Sequence, residues 1–557
     1  MCKQQMSATS VSPSYVVDAA DIVFSGTSHK YTDNDIKYAV SAYYCLQIYG
    51  RYDECNGPKP ENEPEDPYEV IGDWDVSHVT DMSYLFEELY FFNFDISEWD
   101  VSSVTTMRGM FRKANDFNQN ISAWNVSKVT DMSEMFSETR GFNQNISAWD
   151  VSQVTNMNKM FYRAMEFNQP LNTWNVGRVT DTSYMFSGGS WERGRFNQPL
   201  ENWNVSQVTT MSSMFHTSSF NQPLDAWKVS RVTDMSSMFR LSLFNHSLNA
   251  WNVSSVTDMS RMFAHCFMDH PLDNWDVSHV TTMQSMFERT SSFNQPLASW
   301  NVSKVTTMLR MFFSASSFDQ PLNSWNVSNV RDMSAMFAGE PSRFWQFRRI
   351  LPNVVFNQPL EQWDVSQVTS MESMFQNSVF NQPLNGWDVS SVTKMTSMFR
   401  ESPFNQPLSS WNVSQVTSME SMFSYSPFNQ PIESWTVSSV VSMRQMFREA
   451  RAFNQPLANW DVSHVEQLSA MFCRATAFNQ SLNQWNVSMA TIMWFMFRDA
   501  IAFNQPLNDW DVSNVCSMTS MFENATAFNR PLNNWNVSRV QFMTNMFQNA
   551  TSFNQPL

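Results

Sequence analysis

Catalysis by this chain would need titratable side chains at a repeated spacing, and its eight histidines do not supply one. His29, His78, His216, His246, His265, His270, His279 and His464 keep no constant distance to each other, to a carboxylate or to a cysteine. General acid–base work and metal binding both require such a fixed set. His265, Cys266, Asp269 and His270 form the one local cluster, and drift of loop residues explains it better than a metal site. There is no phosphate-binding loop, no nucleophile motif and no carboxylate pair with separable roles. The expectation is a non-enzymatic chain with no catalytic, cofactor-binding or metal-binding residues, and no cofactor.

Two acidic sets do recur. Asp75, Asp100, Asp150, Asp276, Asp364, Asp388, Asp461 and Asp511 each follow a tryptophan, and asparagine fills most other copies. Asp81, Asp131, Asp234 and Asp258 each precede a methionine. Calcium would want a D-x-D-x-D-G loop, which is missing, so a solvated face is the better reading. Thr80, Thr105, Thr130, Thr155, Thr209, Thr233, Thr257 and Thr281 would make a hydroxyl ladder of the ice-binding kind, but it breaks at Arg331 and Val441. The sequons, such as Asn125-Val-Ser127, arise from the repeat itself and say little about sugar. Candidate partner contacts are Asp75, Asp100, Asp150, Asp276 and Asp364, with Trp345, Arg348 and Arg349 from an aromatic and basic insertion.

These residues are positioned by a repeat. Nineteen tryptophans run from Trp74 to Trp535, mostly 24–25 residues apart. The unit reads W-[ND]-V-S-x-V-T-x-M-x-x-M-F, a short variable stretch, then F-N-Q-P-L-x-x. Length changes fall in the variable stretch, which marks it as the loop. Insertions at 187–195 and 338–355 enlarge it, so both should leave one side of the molecule. The chain divides into a non-repeat segment, 1–73, and a solenoid, 74–557, of about nineteen repeats. Within the first part, 33–48 should form a short amphipathic helix with Thr32 or Asp33 as its N-cap, covering the first coil. The Pro- and acid-rich stretch 57–68 reads as an extended linker. The chain stops at Leu557 inside a repeat, which suggests a truncated chain or gene fragment; otherwise the last coil would expose an unpaired edge and apolar face.

Apolar residues recur about every three positions, which suits neither one helix nor one strand. L-x-x-W-x-V has the spacing of a leucine-rich-repeat strand, L-x-x-L-x-L. After a bend, V-T-x-M should form a short second extended piece, and M-x-x-M-F puts three large groups on one helical face. The expected fold class is therefore a repeat solenoid: leucine-rich-repeat-like coils of about 24–25 residues, with short parallel strands and short helical or 3₁₀ turns. The recurrent Asn of F-N-Q should hydrogen-bond from coil to coil as a structural ladder.

Composition narrows the partners. A net charge of -17 argues against nucleic acid, whose binding rests on Lys and Arg, and against anionic membrane surfaces. It also favours a monomer through self-repulsion. No apolar run reaches the 18 residues of a transmembrane helix, and residues 1–15 lack the apolar core of a signal peptide. The six cysteines do not follow the repeat; Cys45 and Cys55 could pair, with unpaired small residues the plainer reading.

The segments 124–136 (WNVSKVTDMSEMF) and 363–375 (WDVSQVTSMESMF) resemble the repeats of BspA-like leucine-rich-repeat surface proteins, and the likeness runs from Trp74 to Leu557. It implies a leucine-rich-repeat-like fold and a cell-surface or extracellular role in adhesion or recognition, with a protein or glycan partner. It carries no catalytic residues. Variable positions such as His78, Lys128, Gln153, Arg178 and Arg231 would then hold the specificity. The competing expectation is a passive structural spacer without a ligand.

Overall fold

The computed structural model describes residues 30–49, 70–190, 192–340 and 354–556. The coil that starts at Trp99 shows how the repeat closes. Val101 and Val104 turn inward, and the Val104 amide bonds the Val101 carbonyl at 3.0 Å. The chain then reaches V-T-x-M, where the Thr105 amide donates back to Thr80 O (2.8 Å) and Met107 donates forward to Asp131 O (2.9 Å). Thr106 thus forms parallel bridges to Asp81 on one side and Asp131 on the other. The same column of single bridges continues coil by coil to Phe542.

The next stretch has an alternating pattern. Gly109, Phe111 and Lys113 donate to the following coil, at Ser133, Met135 and Ser137 O (2.8–2.9 Å). Met110, Arg112 and Ala114 instead donate three residues back within their own coil. Gly109 and Lys113 have φ of 60° and 62°, and Glu134 and Glu138 repeat this at 59° and 61°. A right-handed helical or 3₁₀ turn needs negative φ throughout, so the helical turn expected at M-x-x-M-F is a pair of tight turns, each with a left-handed residue.

Of the two extended pieces expected, V-T-x-M pairs from repeat to repeat and L-x-x-W-x-V does not. The Trp124 amide closes a turn onto Ile121 O at 3.2 Å, so this segment bends, and the parallel bridges between repeats fall on V-T-x-M. The paired segments are single bridges, not extended strands. Among the described residues the regular helices are α1, Ile36–Tyr49, and a 3₁₀ turn, Ile71–Asp73.

The indole does two jobs. It fills the core and its Nε1–H donates to the carbonyl of the Leu or Ile that opens the same turn in the preceding coil, as Trp124 does to Ile96 (3.2 Å) and Trp300 to Leu272 (3.0 Å). Trp203, Trp227 and Trp251 stack nearly parallel with centroids 6.3–6.4 Å apart. The phenylalanines of M-F stack closer, Phe111 to Phe136 at 5.5 Å.

Helix α1 adds Ile36, Ala39, Val40 and Tyr44 to the core beside the first coil, and starts three residues after Asp33. That carboxylate is engaged elsewhere: it accepts the Thr80 amide (2.7 Å), the Thr80 hydroxyl (2.6 Å) and the Asp81 amide (2.9 Å). It stands where a preceding coil would place its carbonyl. Tyr31 stacks on Trp74 at 4.6 Å and Tyr43 meets it edge-on at 5.7 Å. Cys45 is disulfide-bonded, which corrects the unpaired reading for that residue; Cys55 lies outside the described residues. At the other end, the last coil exposes Val537, Phe542 and Met543.

The 187–195 insertion folds back on its neighbours. Gly194 pairs with Ser218, Arg193 reaches Leu241 O (3.2 Å), and Glu192 and Arg195 form ion pairs with Arg140 and Glu166. Gly188 permits this: a Cβ there would lie 2.4 Å from both Glu192 O and Thr217 O.

Candidate functional site

A repeat separates positions that fold the coil from positions free to vary. The Asp column belongs to the first group. Asp75, Asp100, Asp150, Asp276 and Asp364 each accept the amide of the serine two residues on, at 3.0–3.1 Å. Asparagine does the same in other coils, as Asn125 does for Ser127 (3.2 Å). Such Asx turns stabilise a bend. The side chains are partly or fully exposed, but they leave a turn rather than a strand face. Trp345, Arg348 and Arg349 lie outside the described residues.

The hydroxyl and amide of the following serine hold the carboxyls of Asp100, Asp150, Asp276, Asp388, Asp461 and Asp511 below the usual aspartate value. A folded pKa below the unfolded one gives stability present above the unfolded value and lost as pH falls through the folded one. The melting temperature should therefore drop as pH falls below about 4. Replacing Asp100 and Asp150 by asparagine should change stability at neutral pH by no more than about 0.5 kcal/mol and flatten the acid limb. Identical acid limbs in thermal melts of the two proteins would refute this role.

The His265–His270 cluster is dispersed into four unrelated jobs. His265 is a left-handed turn residue (φ 57°). The Cys266 thiol is buried against Phe244 O and pushed up to about 12 by burial. Asp269 occupies the Asn ladder, accepting the Asn294 amide at 3.2 Å, and His270 Nε2 meets Asn245 O at 3.1 Å. The Thr column is likewise occupied internally: Thr105 Oγ1 donates to Thr80 O, and Thr130 Oγ1 to Thr105 O.

What varies, and faces outward, is the arc formed by the two tight turns. On three successive coils it gathers arginines and two aromatic residues. One coil supplies Arg444, Gln445 and Arg448; the next, Ala470, Cys473 and Arg474; the third, Trp494, Phe495 and Arg498. The small residues Ala470 and Cys473 leave a groove of about 210 Å³ between the larger walls. Trp494 is 41% exposed and stacks on Phe495 at 6.2 Å, and the Arg498 guanidinium lies 5.2 Å over the Phe495 ring.

Acidic side chains brace this groove from outside its lining. Glu449 and Asp499 hold Arg474 at 2.7 and 3.1 Å, Glu523 holds Arg498 at 3.0 Å, and Glu420 lies 3.5 Å from Arg444. The hydrogen bonds that Arg474 donates to Glu449 and Asp499 push its pKa upward. The Cys473 thiol is pushed up to about 11, mainly by burial, so it is a poor nucleophile at neutral pH. The same arc carries a second arginine group, where Arg310 pairs with Glu288 at 2.9 Å and covers Phe313 at 4.0 Å. Sequence reasoning passed over this site, although the run Met493-Trp494-Phe495 breaks the M-S-x pattern and Trp494 falls outside the tryptophan series.

Seven overlapping segments, residues 62–157, 121–192, 167–270, 238–350, 342–459, 402–500 and 482–557, match the family described as Mycoplasma protein of unknown function, DUF285. The chain belongs to this family. The DUF285 segments together span the whole solenoid, including both insertions. No curated protein matches the chain. Among solved structures, a Leptospira interrogans LRR protein aligns with 87% of this chain and 96% of its own at 7% identity, with a TM-score of 0.16. A superposition that loose says nothing further about a DUF285 solenoid. Among the described residues no helix is long and apolar enough to cross a membrane.

Proposed function

We propose that this chain is a non-enzymatic recognition solenoid of the BspA-like leucine-rich-repeat kind, displayed at a cell surface or outside the cell, which binds a protein or glycan through the arc of tight turns. One observation carries the reading: Trp494 stands 41% exposed beside four arginines, in a column where other coils place Ser133, Ser212, Ser236 and Ser260. Exposed Trp and Arg are the residues that dominate binding energy at interfaces. A passive spacer gains nothing from them, because an exposed indole adds an aggregation liability without improving the stack. The Asp column supports the coil and is not assigned a partner.

The test pairs two measurements. Purified chain is applied to arrayed extracellular-matrix proteins and glycans, alongside a Trp494→Ser/Arg448→Ser variant and an Asp100→Asn/Asp150→Asn variant. The expected result is at least one captured probe, lost by the first variant and kept by the second. Absence of any bound probe, or equal binding by all three proteins, would favour the spacer. Biotin labelling of intact cells tests display, and a chain reached only after lysis would refute that part.

A further inference from the structure

The groove over Ala470 and Cys473 has a one-sided chemistry that narrows its ligand. Its lining contains four guanidinium groups, two aromatic rings, Gln445 and two small residues, with no carboxylate. Glu420, Glu449, Asp499 and Glu523 contact Arg444, Arg474 and Arg498 from beyond the lining, and Arg448 lies over the Tyr425 ring at 5.7 Å. These contacts hold the side chains in place without filling the groove, so less side-chain entropy is lost when an anion arrives. Arginine's planar donors suit carboxylates in particular.

Size sets the second limit. A volume of 210 Å³ is below the range of about 300–1,000 Å³ in which drug-sized molecules are enclosed. It accommodates one residue of a longer polymer. The third limit is the platform: an indole face beside the guanidiniums suits a ring with an apolar face, which the carboxylates of Asp and Glu side chains lack. Fourth, Arg448 and Arg498 occupy the same column two coils apart, about 10 Å at ladder spacing. That is close to one disaccharide step along a glycan chain.

We propose, building on the recognition role above, that this groove binds an acidic glycan laid along the rod, with one uronate ring against Trp494 and its carboxylate between Arg448 and Arg474. No bond is made or broken; the contact is charge-assisted hydrogen bonding with a ring on an aromatic face.

The probe is an unsulfated hexasaccharide of alternating glucuronate and N-acetylglucosamine, titrated calorimetrically into the full chain. The expected result is saturable binding that the carboxyl-reduced hexasaccharide does not reproduce. Trp494→Ser and Arg448→Ser, each melting like the wild type, should weaken it by about tenfold or more, while Asp100→Asn should leave it unchanged. Raising the salt from roughly 0.05 to 0.5 M should weaken it further. The proposal is overturned by no binding at millimolar probe, by equal binding of the neutral hexasaccharide, by unchanged affinity in both variants, or by preference for a sulfotyrosine peptide. A chain that still captures a partner on the protein and glycan array but ignores this probe keeps its recognition role and loses this ligand.

Discussion

Trp300→Ala is expected to destabilise the array by about 3–5 kcal/mol, the largest effect of any single substitution considered. The indole lies between Trp275 and Trp325 at 6.3 and 6.4 Å and beside Phe287 at 6.3 Å. Its Nε1–H also donates to Leu272 O, which already accepts the Trp275 amide. Both lone pairs of that carbonyl are therefore used, and one bond crosses from coil to coil. Trp300→Phe keeps much of the ring and loses only the donor, so about 1 kcal/mol of its cost should come from the hydrogen bond. Because each coil touches only its neighbours, Trp300→Ala should also split urea unfolding into two transitions, one for each side of the break. Trp494→Ser removes an exposed indole and should stay within about 0.5 kcal/mol of wild type. Similar losses for Trp300→Ala and Trp494→Ser would contradict the assignment of core and surface tryptophans.

Asn381→Ala should cost about 1–3 kcal/mol, whereas Asn381→Asp should cost much less. The Asn381 Oδ1 accepts the Asn405 amide at 2.9 Å and the Gln406 side chain at 3.3 Å, and Gln406 also reaches Asn381 O at 3.2 Å. Alanine leaves the partly buried Asn405 amide without an acceptor. Aspartate keeps the acceptor, as the chain itself demonstrates: Asp269 receives the Asn294 amide (3.2 Å) and Gln295 (3.0 Å), and Asp319 receives Asn357 (2.9 Å). Denaturant midpoints of the two variants decide this, and equal losses would mean that the ladder is not held by the Oδ1 acceptor.

The period, the buried tryptophan and phenylalanine columns and the Asn ladder were all legible from spacing and residue type. The extended piece at V-T-x-M was legible too, but not that it, rather than L-x-x-W-x-V, carries the repeat-to-repeat pairing, nor the hand of the turns. L-x-x-W-x-V imitates a leucine-rich-repeat strand, and only the Trp124-to-Ile121 bond shows that it bends. The left-handed residues were hidden because they are not glycines. Thirty-five non-glycine residues among those described have positive φ, such as Glu134, Arg163 and Tyr425, against two glycines. A left-handed residue costs roughly 1–2 kcal/mol, and here the amide of such a residue is held by the next coil, as Gly109 is by Ser133 O and Glu134 by Asn158 O. That compensation comes from outside the unit, so no single repeat displays it.

The candidate site divides in the same way. Asp100 and its relatives recur in the sequence as a column, and their part in a turn is visible only in the bond to Ser102. The groove needs Arg448, Cys473 and Arg498 from three different repeats, about 25 residues apart in sequence and adjacent only once the coils stack.

Hydrogen exchange of the indole Nε1 protons, followed by NMR on protein labelled with ¹⁵N-tryptophan, tests the stacked solenoid most directly. Each repeat tryptophan from Trp99 to Trp535 donates to the preceding coil. Those eighteen signals should persist long after the exposed Trp494 signal has disappeared. Rapid loss of most of the eighteen together with Trp494 would contradict the solenoid.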